Sequence, residues 1–335
     1  MEILAYGVQA DERPMLSEAF EGRHGLRMLD VFLTEDTAPL AEGVPVVSSS
    51  VNAVLDRAAL TRLAEGGTRL VTQRSTGFNN IDLDAARELG LTVARVSYYS
   101  PYAVAEHAWA LALAVNRRIT RAASRAREFD FRLDGLLGRD VHGMTVGVIG
   151  TGKIGECFAR IAHGFGTELL GWDIAQNQDC LDLGMTYVDR DELLARSDLV
   201  SLHVPLLPAT EHLIDGPALA RMKPDALLVN SSRGGLVDSA ALVEALRAGR
   251  LSGVGLDVYE EETGVFFTDR SVRGITDDVL ARLMSFPQVL VTSHQAYFTR
   301  TAVGQIIDAT VRNVDDFAAG RSNENTLVAG SGDRP

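Results

Sequence analysis

Three polar residues each follow an apolar run, and their types could bind an anion and move a proton. Arg233 lies in NSSRGGLVD, just past the apolar run Ala226–Val229. Glu262 lies in GLDVYEEETG and His294 in VLVTSHQAY, each just past a further apolar run. Parallel α/β sheets bind ligands beyond the carboxyl ends of their strands, and all three residues fall there. An arginine suits a substrate carboxylate, and a histidine can give or take a proton. Taken singly, each has a plainer reading: a surface ion pair for Arg233, a solvated carboxylate for Glu262, a structural ring for His294. Their common placement beside a nucleotide motif favours chemistry. His24, His142, His163 and His212 lack that context, and His107 reads as packed inside an alanine-rich helix.

The nucleotide motif is VGVIGTGKIG, from Val146, in which Gly150, Gly152 and Gly155 are spaced G-x-G-x-x-G. Eighteen residues after Gly155, Asp173 closes a second apolar run, Glu168–Trp172. This predicts a strand, a tight turn, a helix and a second strand with a carboxylate at its tip, the arrangement that holds a dinucleotide. Gly150 permits the turn, Gly152 lets a pyrophosphate approach the backbone, and Gly155 lets the helix pack on the strand. The phosphates sit at a helix N-terminus, where free N–H groups favour anions. Asp173 would accept the ribose hydroxyls and repel a 2′-phosphate, so NAD is expected over NADP. A glycine-rich turn in some other α/β protein is the bland alternative; the strand, helix and spaced acid argue against it.

The elements that must position these residues alternate along the chain. Ile3–Tyr6, Met28–Phe32, Val44–Ser48, Arg69–Thr72 and Leu91–Val96 read as strands, and Asp11–Phe20, Asp56–Glu65 and Leu83–Leu89 as helices. Ser100 and Pro101 suit the N-cap and first turn of a long helix, PYAVAEHAWALALAVNRR. Past the glycine motif, strands are expected at Leu199–Val204, Ala226–Asn230, Gly253–Asp257 and Val289–Thr292, and a helix at Thr299–Phe317. The fold class is therefore α/β: two Rossmann-like domains with parallel sheets, one flavodoxin-like and one dinucleotide-binding, and a cleft between them. The expected boundaries are 1–99 plus 299–335 for a substrate domain and 100–298 for an inserted NAD-binding domain, joined by the two long helices. Ser331 to Pro335 read as a frayed tail.

Bulk properties exclude several classes. A chain of 335 residues with 46% apolar and 23% charged residues is ordinary for a soluble protein of about two domains. The net charge of −13 argues against broad nucleic-acid binding. The one basic cluster, Arg117 to Arg127, reads as a solvated or subunit-facing helix. No apolar window is long enough for a membrane span, and MEILAYGVQADERP reads as a first strand rather than a signal peptide. Cys157 and Cys180 are expected as reduced thiols in a cytoplasmic protein.

Six further stretches carry a resemblance: STGFNNIDLDAA from Ser75, YSPYAVAEHAWALAL from Tyr99, SLHVPLLPATEHLI from Ser201, VNSSRGGLVD from Val229, GLDVYEEE from Gly255, and DDVLARLMSFPQVLVTSHQAYFT from Asp277. With the glycine motif, they make the chain similar to the NAD-dependent D-2-hydroxyacid dehydrogenases over nearly its whole length. FFTDRS, from Phe266, followed by the stretch from Asp277, is especially similar to their lactate-specific branch. The resemblance implies that Arg233, Glu262 and His294, spaced by 29 and then 32 residues, are the catalytic arginine, glutamate and histidine. It implies that backbone N–H groups near Thr76 and Gly77, together with Tyr99, hold the substrate carboxylate. It places His203, Val204 and Pro205 under the nicotinamide ribose and Asp257 beside the carboxamide. Lys153, Ile154, Ser231 and Ser232 complete the candidate cofactor contacts, and Phe78 and Tyr297 would limit the pocket to a small side chain.

The expected reaction is interconversion of pyruvate and D-lactate, in a dimer or a dimer of dimers, with a small 2-keto or 2-hydroxy acid as the partner and no metal. At the first hinge the family commonly reads V-P-A-Y-S-P, whereas this chain reads Val96-Ser97-Tyr98-Tyr99-Ser100-Pro101. A proline is lost and Tyr98 is gained. The alternatives are the same chemistry on a bulkier 2-keto acid and a dinucleotide-sensing protein without turnover. Formate oxidation is disfavoured because formate-oxidising relatives resemble a glutamine at the Glu262 position.

Overall fold

The computed structural model describes residues 1–330; the expected frayed tail lies outside them. The chain divides into two compact units, Met1–Ser100 with the segment returning from Phe298, and Pro101–Tyr297.

The first unit begins β1 (Glu2–Ala5), α1 (Glu12–Phe20), β2 (Gly25–Met28), β3 (Val46–Ser49), α2 (Arg57–Glu65), β4 (Leu70–Gln73), α3 (Leu83–Glu88), β5 (Thr92–Ala94). The second unit runs α4 (Pro101–Asn116), α5 (Ile119–Arg127), β6 (Thr145–Ile149), α6 (Lys153–Gly164), β7 (Glu168–Trp172), α7 (Gln178–Asp182), β8 (Thr186–Tyr187), α8 (Arg190–Arg196) and β9 (Leu199–Leu202). It continues α9 (Gly216–Arg221), β10 (Leu227–Asn230), α10 (Ser239–Arg247), β11 (Gly253–Leu256), α11 (Asp278–Ser285) and β12 (Val289–Val291). The returning segment adds α12 (Arg300–Ala318) and β13 (Thr326–Val328) to the first unit.

Helix starts are locally encoded. Asp56, Asp82, Asp215, Asp238, Asp277 and Thr299 each accept the amide three residues on, at the first turn of α2, α3, α9, α10, α11 and α12. Such a cap is worth about 1 kcal/mol.

The larger sheet has the order β12-β11-β10-β9-β6-β7-β8 and is parallel throughout. Every residue of β9, β10 and β11 is buried, as helices on both faces require. Strand order reverses between β6 and β9, so a crevice opens beyond their carboxyl ends.

The smaller sheet has the order β13-β5-β4-β3-β1-β2. As expected, β1 to β5 pair in parallel; β13, a strand the sequence reading does not mark, adds an antiparallel edge beside β5. The second strand is also displaced, from the expected Met28–Phe32 to Gly25–Met28. β2 is an edge with one partner, β1, so its pairing and not its apolar run decides where it lies.

The long helix from Pro101 ends earlier than its sequence suggests. Asn116 is buried, and its side chain donates to the Arg139 carbonyl (2.8 Å) and accepts from the Arg139 amide (3.3 Å). Arg118 then takes a left-handed backbone (φ 53°), its guanidinium donates to the Val115 carbonyl (2.7 Å), and α5 starts anew. No helix among the described residues is long and apolar enough to cross a membrane.

Candidate active site

At the switch point, β6 ends in Gly150, whose left-handed φ of 92° makes the turn. A Cβ there would come within 2.7 Å of the His203 backbone, at the end of β9. A Cβ on buried Gly155 would overlap the Gly150 carbonyl oxygen, which is why α6 can lie so close to β6. Gly152 differs. No protein atom lies within 4 Å of the position its Cβ would take, and it begins α6 without a side-chain cap. The geometry therefore provides open space beside uncapped N–H groups, the cradle a pyrophosphate needs. Lys153 and Ile154 form the first turn of that helix. Asp173, at the tip of β7, accepts the Thr151 amide (2.6 Å) and the Ile174 amide (2.6 Å), so its carboxylate is braced against the glycine turn.

Across the switch point, His203 accepts from or donates to Ser201 Oγ at 2.9 Å and tilts against Phe158. Burial pushes its pKa down to about 3, so the ring is neutral at pH 7. Val204 is buried and Pro205 exposed; the Val204 carbonyl accepts the Ser232 hydroxyl at 2.7 Å. The Ser231 hydroxyl is buried without a hydrogen-bond partner. An orphaned polar atom beside the glycine crevice and the open cradle at Gly152 both fit a dinucleotide.

Arg233 follows β10, half-buried, with Nη1 donating to the Ser232 carbonyl (2.6 Å). Gly234 then packs directly on the Tyr259–Glu260 peptide; any Cβ would overlap it. This brings the arginine segment against the segment that carries Glu262. Glu262 Oε2 accepts the Tyr259 amide (3.0 Å), and its Oε1 lies 2.7 Å from His294 Nδ1. The His294 and Glu262 side chains are only 12% and 18% exposed. The Phe267 ring tilts against the imidazole at 6.2 Å. His294 itself is left-handed (φ 54°), a conformation that costs a non-glycine residue about 1–3 kcal/mol and persists only where its surroundings impose it.

Asp257 imposes it. This fully buried residue follows β11, and its backbone carbonyl accepts the His294 amide at 2.6 Å. Its carboxylate accepts the Gln295 and Ala296 amides (3.0 and 2.8 Å) and the Thr292 hydroxyl (2.5 Å). Burial alone would raise its pKa; hydrogen bonds from His107, Thr292 and Ala296 outweigh that and hold it below the usual carboxylate range. The side chain expected beside a carboxamide is thus committed within the protein. His107, expected merely to pack, bonds Thr292 at 3.1 Å and lies 3.3 Å from Asp257. Both His107 and Thr292 lie inside stretches that carry the resemblance, but nothing in the residue types around them marks this pairing.

Thr76, Gly77 and Tyr99 belong to the first unit and Tyr297 ends the second. The loop after β4 is held by its carbonyls. Arg95 donates to Thr76 O (2.8 Å), and Ser75 and Gln73 donate to Gly77 O (2.7 and 3.2 Å). Among the described residues, the Thr76 and Gly77 amides meet no acceptor. Phe78 lies under the Arg95 guanidinium (4.9 Å), Tyr99 is half-buried, and Tyr98 is 49% exposed.

The description "D-isomer specific 2-hydroxyacid dehydrogenase, NAD binding domain" matches residues 109–296. The 2-hydroxyacid dehydrogenase homolog 1 of Schizosaccharomyces pombe is 45% identical, over 98% of this chain and 99% of its own. The apo-structure of D-lactate dehydrogenase from Escherichia coli superposes with a TM-score of 0.89 at 41% identity, covering 98% of this chain and 100% of that one. The D-lactate dehydrogenase of Aquifex aeolicus, solved with NAD and lactic acid, superposes with a TM-score of 0.86 at 31% identity, with the same coverage.

Proposed function

The chain belongs to the D-isomer specific 2-hydroxyacid dehydrogenases, and from that premise we propose that it interconverts pyruvate and D-lactate. It is an NAD-dependent D-2-hydroxyacid dehydrogenase. The choice of pyruvate is supported by full-length likeness to enzymes named D-lactate dehydrogenase, one of them solved with lactic acid. In this reading the unit Pro101–Tyr297 carries the cofactor and the other unit carries substrate-binding groups.

The observation that carries the chemistry is the 2.7 Å contact between Glu262 and His294 Nδ1. A carboxylate at Nδ1 fixes a proton there and leaves Nε2 to face the substrate. His294 Nε2 gives its proton to the keto oxygen in reduction and takes it back in oxidation, while Glu262 faces the imidazolium with its negative charge. Arg233 pairs with the substrate carboxylate and polarises the keto oxygen; a planar guanidinium matches a planar carboxylate. The Thr76 and Gly77 amides, which meet no acceptor among the described residues, are the second set of carboxylate donors, and Tyr99 adds to them in this reading. NADH, when bound, supplies the hydride, and the glycine turn, Asp173 and the Ser231–Ser232 segment hold it.

Assembly as a dimer or a dimer of dimers is part of the same reading. Phe129, Phe131, Leu133 and Leu137 are between 72% and 91% exposed, a run of apolar surface that monomers seldom leave to water. Cys157 and Cys180 are free, buried thiols whose pKa burial raises, in keeping with a reducing cytoplasm.

NADH oxidation with pyruvate beside longer 2-keto acids, with chiral analysis of the product, tests the substrate. Fast formation of D-lactate is expected. A clear preference for a bulkier keto acid keeps the mechanism and moves the substrate, with Tyr98, Phe78 and Tyr297 the first positions to vary. NADH binding without turnover on any acid points to a sensing protein.

A further inference from the structure

α4 and β11 are matched in a register that ends at Asp257. The strand reads Gly253-x-Gly255-x-Asp257, so these three residues share one face. The helix reads His107-x-x-x-Leu111-x-x-x-Val115, so these three share one stripe. A Cβ on Gly253 would stand 3.0 Å from Val115, and one on Gly255 would stand 2.9 Å from Leu111. The glycines thus let the helix lie on the strand, running against it. Two strand residues advance about 6.6 Å and four helix residues about 6 Å, so the next pair in the series is Asp257 with His107. Their side chains are indeed 3.3 Å apart.

The hydrogen bonds at that point have a fixed direction. Asp257 only accepts. The Thr292 hydroxyl gives its single proton to Asp257 Oδ1 and is left as an acceptor. His107 Nε2, 3.1 Å from Thr292 Oγ1, is therefore the donor. The same carboxylate grips the Gln295 and Ala296 amides, and the Asp257 carbonyl grips the His294 amide. Thr292, His294, Gln295 and Ala296 are all fastened to one buried aspartate, and the His107 ring nitrogen lies 3.3 Å from its carboxylate.

We propose that His107 is a positioning residue for the reaction: by donating to Thr292 and Asp257 it holds the 292–296 loop so that His294 keeps its left-handed backbone and its contact with Glu262. The inference rests on His294 being the proton donor. His107 touches neither substrate nor cofactor in this role. Misplacing a reacting group by about 1 Å costs about a hundredfold in rate, so a loosened loop acts on turnover before it acts on binding.

The test compares His107→Phe, which keeps a ring without the N–H, with His107→Gln, whose amide N–H replaces Nε2–H. Thr292→Val removes the bridging hydroxyl from the loop side with little change of volume. His107→Phe and Thr292→Val should each lower kcat by about ten- to a hundredfold. The dissociation constant for NADH and the melting temperature should stay near those of the parent, and the double variant should be no slower than either single one. His107→Gln should recover most of the rate. Parental kcat in His107→Phe or Thr292→Val overturns the proposal, as does a loss of kcat that follows a loss of NADH binding or thermal stability. If His107→Phe does not fold, Thr292→Val decides alone. His294→Gln is the control: if it keeps parental kcat, the reading of the site has failed, whereas its inactivation beside a fully active His107→Phe removes the positioning role only.

Discussion

At the end of β4, the smaller sheet offers main chain: the amides of Thr76 and Gly77, with their carbonyls tied down by Arg95, Ser75 and Gln73. At the ends of β10, β11 and β12, the larger sheet offers side chains: Arg233, Glu262 and His294, on backbone held by Gly234 and Asp257. Both regions lie beyond the carboxyl ends of parallel strands. Backbone donors can bind an anion and can do no more, since an amide neither titrates nor moves a proton at neutral pH. Side chains can do both, and they need a second layer to hold them. In the proposed reaction the smaller sheet would need only a rigid loop, whereas the larger would need Glu262 behind His294 and Asp257 beneath it.

The comparison is broken most directly at His294. His294→Gln should lose about 100- to 10,000-fold in kcat while NADH still binds, as measured by steady-state kinetics and NADH fluorescence. In the smaller sheet the side chain should matter far less than the amide. Gly77→Pro deletes a donor and should raise the KM for pyruvate about tenfold or more, with NADH affinity unchanged. Thr76→Val keeps the amide and should change KM by less than about threefold. Equal losses from these two variants would mean that the Thr76 hydroxyl, and not the main chain, carries the binding.

The glycine turn separates packing from ligand space within the larger sheet. Gly155→Ala drives a methyl into the Gly150 carbonyl and should lower the melting temperature and weaken NADH binding together, at about 1–3 kcal/mol of stability. Gly152→Ala meets no protein atom and should weaken NADH binding while the melting temperature holds. A stable Gly152→Ala with parental NADH affinity would move the pyrophosphate elsewhere.

The smallest effect concerns His212, whose Nε2 lies 2.5 Å from Glu260 in the segment leading to Glu262. That hydrogen bond, opposed by a smaller desolvation, raises the His212 pKa. A raised histidine stabilises fully below its unfolded value of about 6.5 and loses that contribution as pH rises through the folded value. The pair is partly exposed, so urea unfolding should show His212→Gln destabilised by only a few tenths of a kcal/mol at pH 6 and not at all at pH 9.

Much of this was legible along the chain, because it is local. The G-x-G-x-x-G spacing, the acid after β7, and the apolar runs that became β9, β10 and β11 all act within a few residues of themselves. Arg233, Glu262 and His294 could be picked out because strand ends can be found from apolar runs. Their mutual geometry could not, since Glu262 and His294 meet across 32 residues of chain.

The amino-acid sequence by itself determined the periods: two along strands, 3.6 along helices, glycines where the backbone must turn or approach. Tertiary structure decided what those periods met. It ended α4 at Asn116, because Arg139 arrives there to bond it. It turned β13 antiparallel at the edge of the smaller sheet. It set His107 over Asp257, because only a helix lying on glycines brings a four-residue step into register with a two-residue one. A histidine in an alanine-rich helix carries no mark of that partner, since the partner is supplied by a strand about 150 residues further on.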